Sequence, residues 1–389
     1  MSQRSRGPSM KILFDFRAYQ EFYPRGVSRY VYELFTNVFK LSSSKNYILV
    51  DKNKRMPDIP SDINADITYY DINKFENDEV KERFDFFING STTWLGLQQY
   101  NSLDVLYPES VMKLCDKKTC ILYDFVPLLY GHYLPNTRDQ VNYFLQCEAM
   151  KYMDHIFTIS KYVSSSGARY LGRALSDFTC LYGGADSERF HTLNSELPYD
   201  SSKRTNNLVN ISGICIRKNF AGVTTAFCKA YNSGKIPSNA KLMIVCSSAD
   251  FFVNEIKEET KKAGLKYGKH VIATGFISDN EMVNLLATAR ASIYPSYYEG
   301  LGLPILESYT AGTPCIASNV SSMKELVYKD ASFNPFKIDE VTNKIIEIYN
   351  NEELCKESLT FGRKLIKEIN WENSAKILFD KLEEIYHAK

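Results

Sequence analysis

A surplus of charge is the first thing this sequence lacks. Lys and Arg number 47 against 46 Asp and Glu, a formal net charge of +1. No global basic field therefore exists to recruit nucleic acid, and only a local basic patch is left to serve an anionic ligand or a membrane surface. Long apolar runs are missing too: no uncharged stretch approaches the ~20 residues that span a bilayer. The opening MSQRSRGPSM has no secretory pattern and reads as a disordered leader. Nine cysteines are scattered, and the closest pair, Cys115 and Cys120, fits no zinc-ligand spacing. Cys180, Cys246 and Cys315 lie in apolar runs, so buried free thiols of a reducing compartment are expected. No D-x-D triplet occurs, which argues against a carboxylate pair clamping a diphosphate through a metal. No G-x-G-x-x-G follows the first apolar run; the chain there reads Arg17-Ala18-Tyr19-Gln20-Glu21, which excludes the usual nicotinamide-dinucleotide loop. Repeats and low-complexity segments are also absent.

What is present is ordinary globular composition, 44% apolar and 24% charged residues, over 389 residues. That is longer than a single core usually grows, so two domains are expected. The 27 tyrosines and 23 phenylalanines suit a core and also suit stacking on sugar rings. Short apolar runs predict strands at Lys11–Phe16, Asn46–Asp51, Ile67–Asp71, Arg83–Asn89, Asp104–Tyr107, Thr119–Tyr123, His155–Ser160 and Phe178–Tyr182. Helical periodicity marks Gly26–Leu41, about Arg138–Met153, and a segment after Lys161. The polar stretch Asp186–Asn207 reads as a linker, after which the alternation restarts. Strands are predicted at Leu208–Ser212, Lys241–Cys246, Val271–Thr274, Ala291–Tyr294 and Pro314–Ala317. The intervening helices are Asn219–Tyr231, Phe252–Ala263, Asp279–Ala287, Pro304–Ala311 and Ser321–Val327. From Ile338 onward the chain is helical, with Trp371 opening the last helix. Strand–helix alternation in both halves predicts parallel sheets covered on both faces.

Open parallel sheets bind ligands beyond the carboxyl ends of their strands, so the loops after strands carry the chemistry. The loop after Ala291–Tyr294 runs Pro295-Ser296-Tyr297-Tyr298-Glu299-Gly300-Leu301-Gly302-Leu303-Pro304-Ile305-Leu306-Glu307. Its glycines let the backbone approach a ligand, and Pro304 suits a first helical turn whose free amides attract an anion. Glu307, placed in that first turn, and Glu299, in the loop before it, are positioned to face one ligand; a carboxylate there can accept both hydroxyls of a ribose diol. The loop after Leu208–Ser212 reads Gly213-Ile214-Cys215-Ile216-Arg217-Lys218-Asn219, and its cation pair is placed to neutralise a diphosphate.

These residues resemble a retaining glycosyltransferase of glycosyltransferase family 4. The family's E-x7-E signature is matched by Glu299…Glu307, its basic pair by Arg217-Lys218-Asn219, and its "GF" loop by Thr274-Gly275-Phe276-Ile277. Gly26-Val27-Ser28-Arg29-Tyr30, Phe157-Thr158-Ile159-Ser160-Lys161 and Gly184-Ala185-Asp186 are similar to its N-terminal patterns. The resemblance runs nearly end to end. It implies an α/β protein of the GT-B fold: two Rossmann-like domains whose parallel sheets face a central cleft. The N-terminal, acceptor-binding domain would be 10–190, the C-terminal, donor-binding domain 207–370, and 371–389 a helix crossing back to the first. By the resemblance, Glu307 holds the nucleotide ribose and Arg217 and Lys218 the diphosphate. Glu299 and the backbone of Gly300, Leu301, Gly302 and Leu303 meet the donor sugar and phosphate. Gly213, Gly275, Phe276 and Gly26 belong to the donor-binding loops. The family often has His-Asp after the central N-domain strand, where this chain has Tyr123-Asp124. Asp124 is kept as a polar contact near the reacting centre, and Tyr123 and His132 as acceptor-side residues. Ile214 replaces a frequent arginine, a charge that Arg217 is expected to supply.

The implied function is hexosyl transfer with retention, without metal or other cofactor, from a nucleotide-diphosphate sugar to a hydroxyl of a glycan or lipid-linked acceptor. GDP-mannose is the favoured donor, with UDP- or dTDP-sugars as alternatives, in bacterial polysaccharide or lipopolysaccharide (O-antigen) synthesis. The implied setting is the cytoplasm, with peripheral attachment at the inner membrane face. The rival reading is a catalytically silent sugar-nucleotide binder, for which Tyr123 is the warning; a phosphorylase-like enzyme would need a pyridoxal lysine and a longer chain.

Overall fold

The computed structural model describes residues 10–23, 26–41, 45–63, 65–92, 102–213, 215–246 and 250–388. The chain divides into two compact units, one comprising the residues up to Gly183 together with Asn370–Lys389, the other Gly184–Ile369.

Among the described residues the first unit builds a seven-stranded, all-parallel sheet. Its strands are β1 (Lys11–Asp15), β2 (Lys45–Val50), β3 (Ile67–Asp71), β4 (Phe84–Asn89), β5 (Cys115–Leu122), β6 (His155–Thr158) and β7 (Phe178–Cys180), in the order β3-β2-β1-β4-β5-β6-β7. The central strands β1 and β4 and the second half of β5 are mostly buried, as expected for strands covered by helices on both faces. The helix Gly26–Leu41 buries Tyr30, Val31, Leu34, Phe35 and Val38, one stripe at helical spacing. Phe14 of β1 meets Phe35 and Phe39 of that helix edge-on at 4.9 and 5.0 Å. The last helix, Trp371–His387, returns to this unit. Trp371 packs edge-on against Tyr30 at 5.0 Å, and the Ser374 hydroxyl donates to the Leu181 carbonyl at 2.7 Å. Gly183 passes beneath this contact at φ 152°, where a Cβ would lie 2.9 Å from the Tyr30 ring.

The second unit repeats the plan with β8 (Asn207–Ile211), β9 (Lys241–Val245), β10 (Val271–Ala273), β11 (Ala291–Tyr294), β12 (Cys315–Ser318) and β13 (Ser332–Phe333), in the order β10-β9-β8-β11-β12-β13. Its pairings are all parallel. In both units the winding reverses beside the first strand, between β1 and β4 and between β8 and β11, which is the doubly wound arrangement. The Tyr309 ring fits against the backbone of Gly362, where a Cβ would come within 2.1 Å.

Most predicted elements lie where hydrophobic patterning puts them, and two segments differ. Asp104–Tyr107 is not a strand: Ser102–Leu106 is a short helix, and the Asn89 side chain donates to the Leu106 carbonyl at 2.7 Å. β4 and β5 pair directly, which leaves no place for a strand between them. Residues 186–207, which read as a linker, are packed onto the second unit. Phe190 is fully buried, the Thr192 hydroxyl donates to Ala311 O at 3.0 Å, and Tyr199 OH donates to Arg290 O at 2.9 Å. The two-residue β13 has no counterpart in the sequence reading, being too short for periodicity to register. All nine cysteines are free thiols, with Cys246 and Cys315 buried and Cys180 half-buried. Among the described residues no helix is long and apolar enough to cross a membrane.

His155 opens β6 in the interior, its Nε2 2.8 Å from the Thr179 hydroxyl. Burial first, then the charge of Lys381, pulls its pKa from 6.5 down to about 4. A depressed histidine keeps its stabilising contribution above the unfolded-state pKa and loses it as pH falls through the folded value. Urea unfolding should therefore show wild type losing roughly 3 kcal/mol more than His155→Gln between pH 7 and pH 4. Parallel pH profiles for the two proteins would contradict this.

Candidate active site

The site grows from the adjacency of β8 and β11. Their following connections leave in opposite directions, so a crevice opens beyond their carboxyl ends. The loop after β8 ends in a 3-10 turn, Ile216–Lys218, and then Asn219 takes a left-handed conformation at φ 59°. Asparagine tolerates that region better than other side chains. Its Oδ1 accepts from the Gly222 amide at 3.1 Å, capping the helix Phe220–Asn232, and its Nδ2 donates to Pro295 O at 3.2 Å. The Tyr297 amide donates to Arg217 O at 2.8 Å. Asn219 and Arg217 thereby tie the loop after β8 to the loop after β11.

That tie brings three charges together. Lys218 Nζ donates to Glu299 Oε1 at 2.6 Å and to the Tyr294 hydroxyl at 3.1 Å. Arg217 Nη1 donates to Glu299 Oε2 and, at 2.9 Å, to Tyr298 O. Glu299 and Lys218 are only 6% and 7% exposed, so water does little to screen the pair. Burial alone would raise the Glu299 carboxyl. The ammonium of Lys218, then the guanidinium of Arg217, and their hydrogen bonds outweigh it and hold the group below the ordinary carboxylate range. Burial, and next the Glu299 charge, push the Tyr294 phenol well above its usual value, so it stays protonated.

Two residues that sequence reasoning passed over fix the backbone of this loop. Ser321, at φ 51°, accepts the Glu299 amide on its Oγ at 3.0 Å. The Ser322 hydroxyl lies 2.8 Å from both Glu299 O and Leu301 O. Both serines follow β12, the strand beyond β11, and are buried. The only available signal was polar residues after a buried strand. Gly302 then turns at φ 108° into the helix Leu303–Thr310, with Pro304 in its first turn and no side-chain cap. Among the described residues the amides of Leu301, Gly302 and Leu303 meet no acceptor. Open amides at a helix start suit an anionic or carbonyl partner. Glu307 is the fifth residue of that helix, in its second turn rather than its first, and its charge is felt at Tyr294.

The other predicted positions fall as follows. Gly213 is exposed beyond β8, and Ile214 lies outside the described residues. Gly275, at φ 71°, precedes Phe276, which is 90% exposed beyond β10. Gly26, Tyr123, Asp124 and His132 belong to the first unit. Gly26 starts its helix with open space around a Cβ position. Asp124 accepts the Val126 amide at 2.8 Å. Tyr123 is buried and donates to Gly90 O at 2.8 Å, so its hydroxyl already has a backbone acceptor. His132 is exposed in a 3-10 turn beside Tyr133, 4.3 Å between ring centroids. Unforeseen at the end of β1 is a buried ion pair in which Arg17 grips Asp15 through Nε at 2.9 Å and Nη2 at 2.7 Å.

Two doubly wound units with a cation–carboxylate cluster at one switch point define a GT-B protein, and the comparisons agree. Residues 205–364 match the family described as "Glycosyl transferases group 1". It is 28% identical over 159 residues to the O-antigen chain mannosyltransferase B of Escherichia coli, covering 40% of each protein. It is 23% identical over 275 residues to the serotype-specific mannosyltransferase WbdA of Escherichia coli, covering 68% of this chain and 33% of that one. The chain thus aligns with between a third and two-fifths of the length of these curated relatives. Among solved structures, Anabaena HepE in complex with UDP and glucose superposes with a TM-score of 0.70 at 14% identity, covering 96% of this chain and 100% of that one. Sucrose-phosphate synthase from Thermosynechococcus elongatus does so with a TM-score of 0.70 at 16% identity, covering 97% and 100%. At such identities the likeness concerns the fold.

Breaking a buried ion pair from one side costs about 3–5 kcal/mol. Glu299→Gln should therefore be about 3 kcal/mol less stable than wild type at pH 7 by urea unfolding. Because the Glu299 pKa is depressed, its contribution is complete above the usual carboxylate range and lost as pH falls through the lower folded value, so the gap should close in acid. A gap that persists unchanged at pH 3 would contradict the charge argument. Ser322→Ala leaves two buried carbonyls without their donor and should cost about 2 kcal/mol. Ser308→Ala removes a hydroxyl bonded back within its own helix and should cost almost nothing. Equal effects from both would deny the loop clamp.

Proposed function

We propose that this chain transfers a hexosyl group, mannose from GDP-mannose being favoured, to a hydroxyl of a glycan or lipid-linked acceptor in surface-polysaccharide synthesis. The carrying observation is the Arg217–Lys218–Glu299 cluster at the β8/β11 switch point, beside amides that meet no acceptor. Two cations and a helix start suit the two phosphates of a nucleoside diphosphate. The favoured sugar is supported by the names of the aligned relatives, which are mannosyltransferases of O-antigen synthesis. Membership of glycosyltransferase family 4, and the retention that goes with it, rest on the sequence resemblance.

In this reading Glu299 holds Arg217 and Lys218 in place before the donor arrives, so little reorganisation is needed as the reaction proceeds. As the bond between the sugar's anomeric carbon and the phosphate oxygen breaks, the acceptor oxygen bonds to that carbon on the same face, its proton passes to the departing diphosphate, and negative charge grows on that diphosphate. Arg217, Lys218 and the amides of Leu301–Leu303 stabilise that charge. Metal is dispensable because the two cations occupy the role a divalent ion would take. Glu307 accepts the ribose hydroxyls, Asp124 is a polar contact near the reacting centre, and His132 serves the acceptor. The protein works in the cytoplasm, meeting lipid-linked acceptors at the inner membrane face.

A thermal-shift screen of GDP, UDP, ADP, dTDP and CMP, with and without EDTA, tests the reading. One diphosphate at about 100 times its Kd should stabilise the protein by about 2.7 kcal/mol, with EDTA making no difference. Lys218→Ala should lower turnover by roughly 10²–10³-fold, and Glu307→Ala should weaken donor binding. Stabilisation that vanishes in EDTA would contradict the metal-free reading. Nucleotide binding with no transfer from any sugar nucleotide would favour the silent binder.

A further inference from the structure

The first unit's carboxyl edge carries a feature that the transfer chemistry does not use. Helix Arg17–Phe22 follows β1, and residues 51–58 follow β2, so both lie where an open parallel sheet receives ligands. Three tyrosines cluster there. The ring centroids of Tyr19 and Tyr23 are 5.8 Å apart at 65°, and those of Tyr19 and Tyr32 are 5.6 Å apart at 31°. Tyr19 is buried, Tyr32 half-buried and Tyr23 47% exposed, so the cluster is rooted in the core and open at one end. The Arg55 guanidinium lies over the Tyr23 ring at 4.1 Å.

The platform is held rigidly. Gln20 Nε2 donates to Asp51 O at 2.8 Å and to Arg55 O at 3.0 Å, and its Oε1 accepts the Asp51 amide at 2.8 Å. Tyr32 OH donates to Asp58 O at 2.6 Å, and Lys54 pairs with Glu21. One glutamine and one tyrosine therefore pin the whole 51–58 loop against the helix and orient the open rings in advance of any ligand.

We infer that Tyr19, Tyr23, Tyr32 and Arg55 form a saccharide subsite for the growing acceptor glycan, an inference that rests on the transferase reading above. The rim charge decides the ligand class. Among the described residues of the rim, Lys52, Lys54 and Arg55 are balanced by Glu21, Asp51 and Asp58, which leaves no net positive charge there to hold a phosphate or an anionic membrane. A neutral polyhydroxylated ring fits both parts: its C–H face lies on the exposed tyrosine, and its hydroxyls meet the guanidinium and phenol. The subsite would hold sugar units away from the one that reacts, fixing the register of the acceptor chain.

Saturation-transfer NMR with α-linked mannotriose, on the full chain saturated with GDP, tests this. Wild type should transfer magnetisation to the pyranose protons. Tyr23→Ala and Arg55→Ala should each weaken binding about tenfold, while Tyr23→Phe, which keeps the ring, stays within about twofold of wild type. GDP-induced thermal stabilisation is measured on the same samples and should be equal in all four. Absence of transfer to wild type, or affinities of Tyr23→Ala and Arg55→Ala equal to wild type, would overturn the subsite. If GDP stabilises wild type in that event, the transferase reading stands without it; if no nucleoside diphosphate stabilises wild type either, the transferase reading fails as well.

Discussion

A buried carboxylate, Glu299, shared by Lys218 and Arg217, is the interaction on which the second unit's site depends. Placing two charges in the interior beside a third that is partly exposed is unfavourable unless each is met by hydrogen bonds of good geometry. The fold supplies those by bringing together two loops that lie 81 and 82 residues apart in sequence. Asn219 in its left-handed conformation turns Lys218 inward, and Ser321 and Ser322 fix the backbone on either side of Glu299. Such an arrangement adds little to net stability compared with an apolar core. Its use is preorganisation: cations aimed in a low-dielectric crevice are worth more to a developing anion than the same cations in water.

The two units share a winding plan and differ in what stands at the first strand's end. In the first unit Arg17 grips Asp15, two residues away in sequence. In the second, the cations reach across to the neighbouring strand's loop. A local pair anchors a helix start. A pair that spans two loops responds to whatever enters between them. The unit with the spanning cluster is also the one that matches the glycosyl transferases group 1 family, while the first unit's edge is lined instead by tyrosines.

Much of this was legible in the sequence because parallel sheets write themselves as short apolar runs and place function in the loops that follow. Arg217, Lys218 and Glu299 were found in that way, and the structure brings their side chains into contact. Asp104–Tyr107 reads as a strand because a run of three apolar residues has no period; the helix Ser102–Leu106 and the direct pairing of β4 with β5 exclude a strand there. Ser321 and Ser322 escaped notice because a serine's role depends on which backbone lies within 3 Å of it, information held by the neighbouring strand and not by the residue. Glu307 was assigned one turn too early, since the helix begins at Leu303. Residues 186–207 are polar enough to read as a linker, but their polarity is spent on hydrogen bonds to the second unit, among them Arg204 to Ala287 O and Gly312 O at 2.6 and 2.8 Å.

The central claim is that the β8/β11 crevice receives the nucleoside diphosphate. Amide hydrogen exchange followed by mass spectrometry, on the full chain with and without saturating GDP, tests it most directly. The account predicts slower exchange concentrated in the peptides spanning residues 211–222 and 296–307, with Leu301, Gly302 and Leu303 the amides most protected. Protection centred elsewhere, for example on the segments after β1 and β2, with 296–307 unchanged, would contradict it.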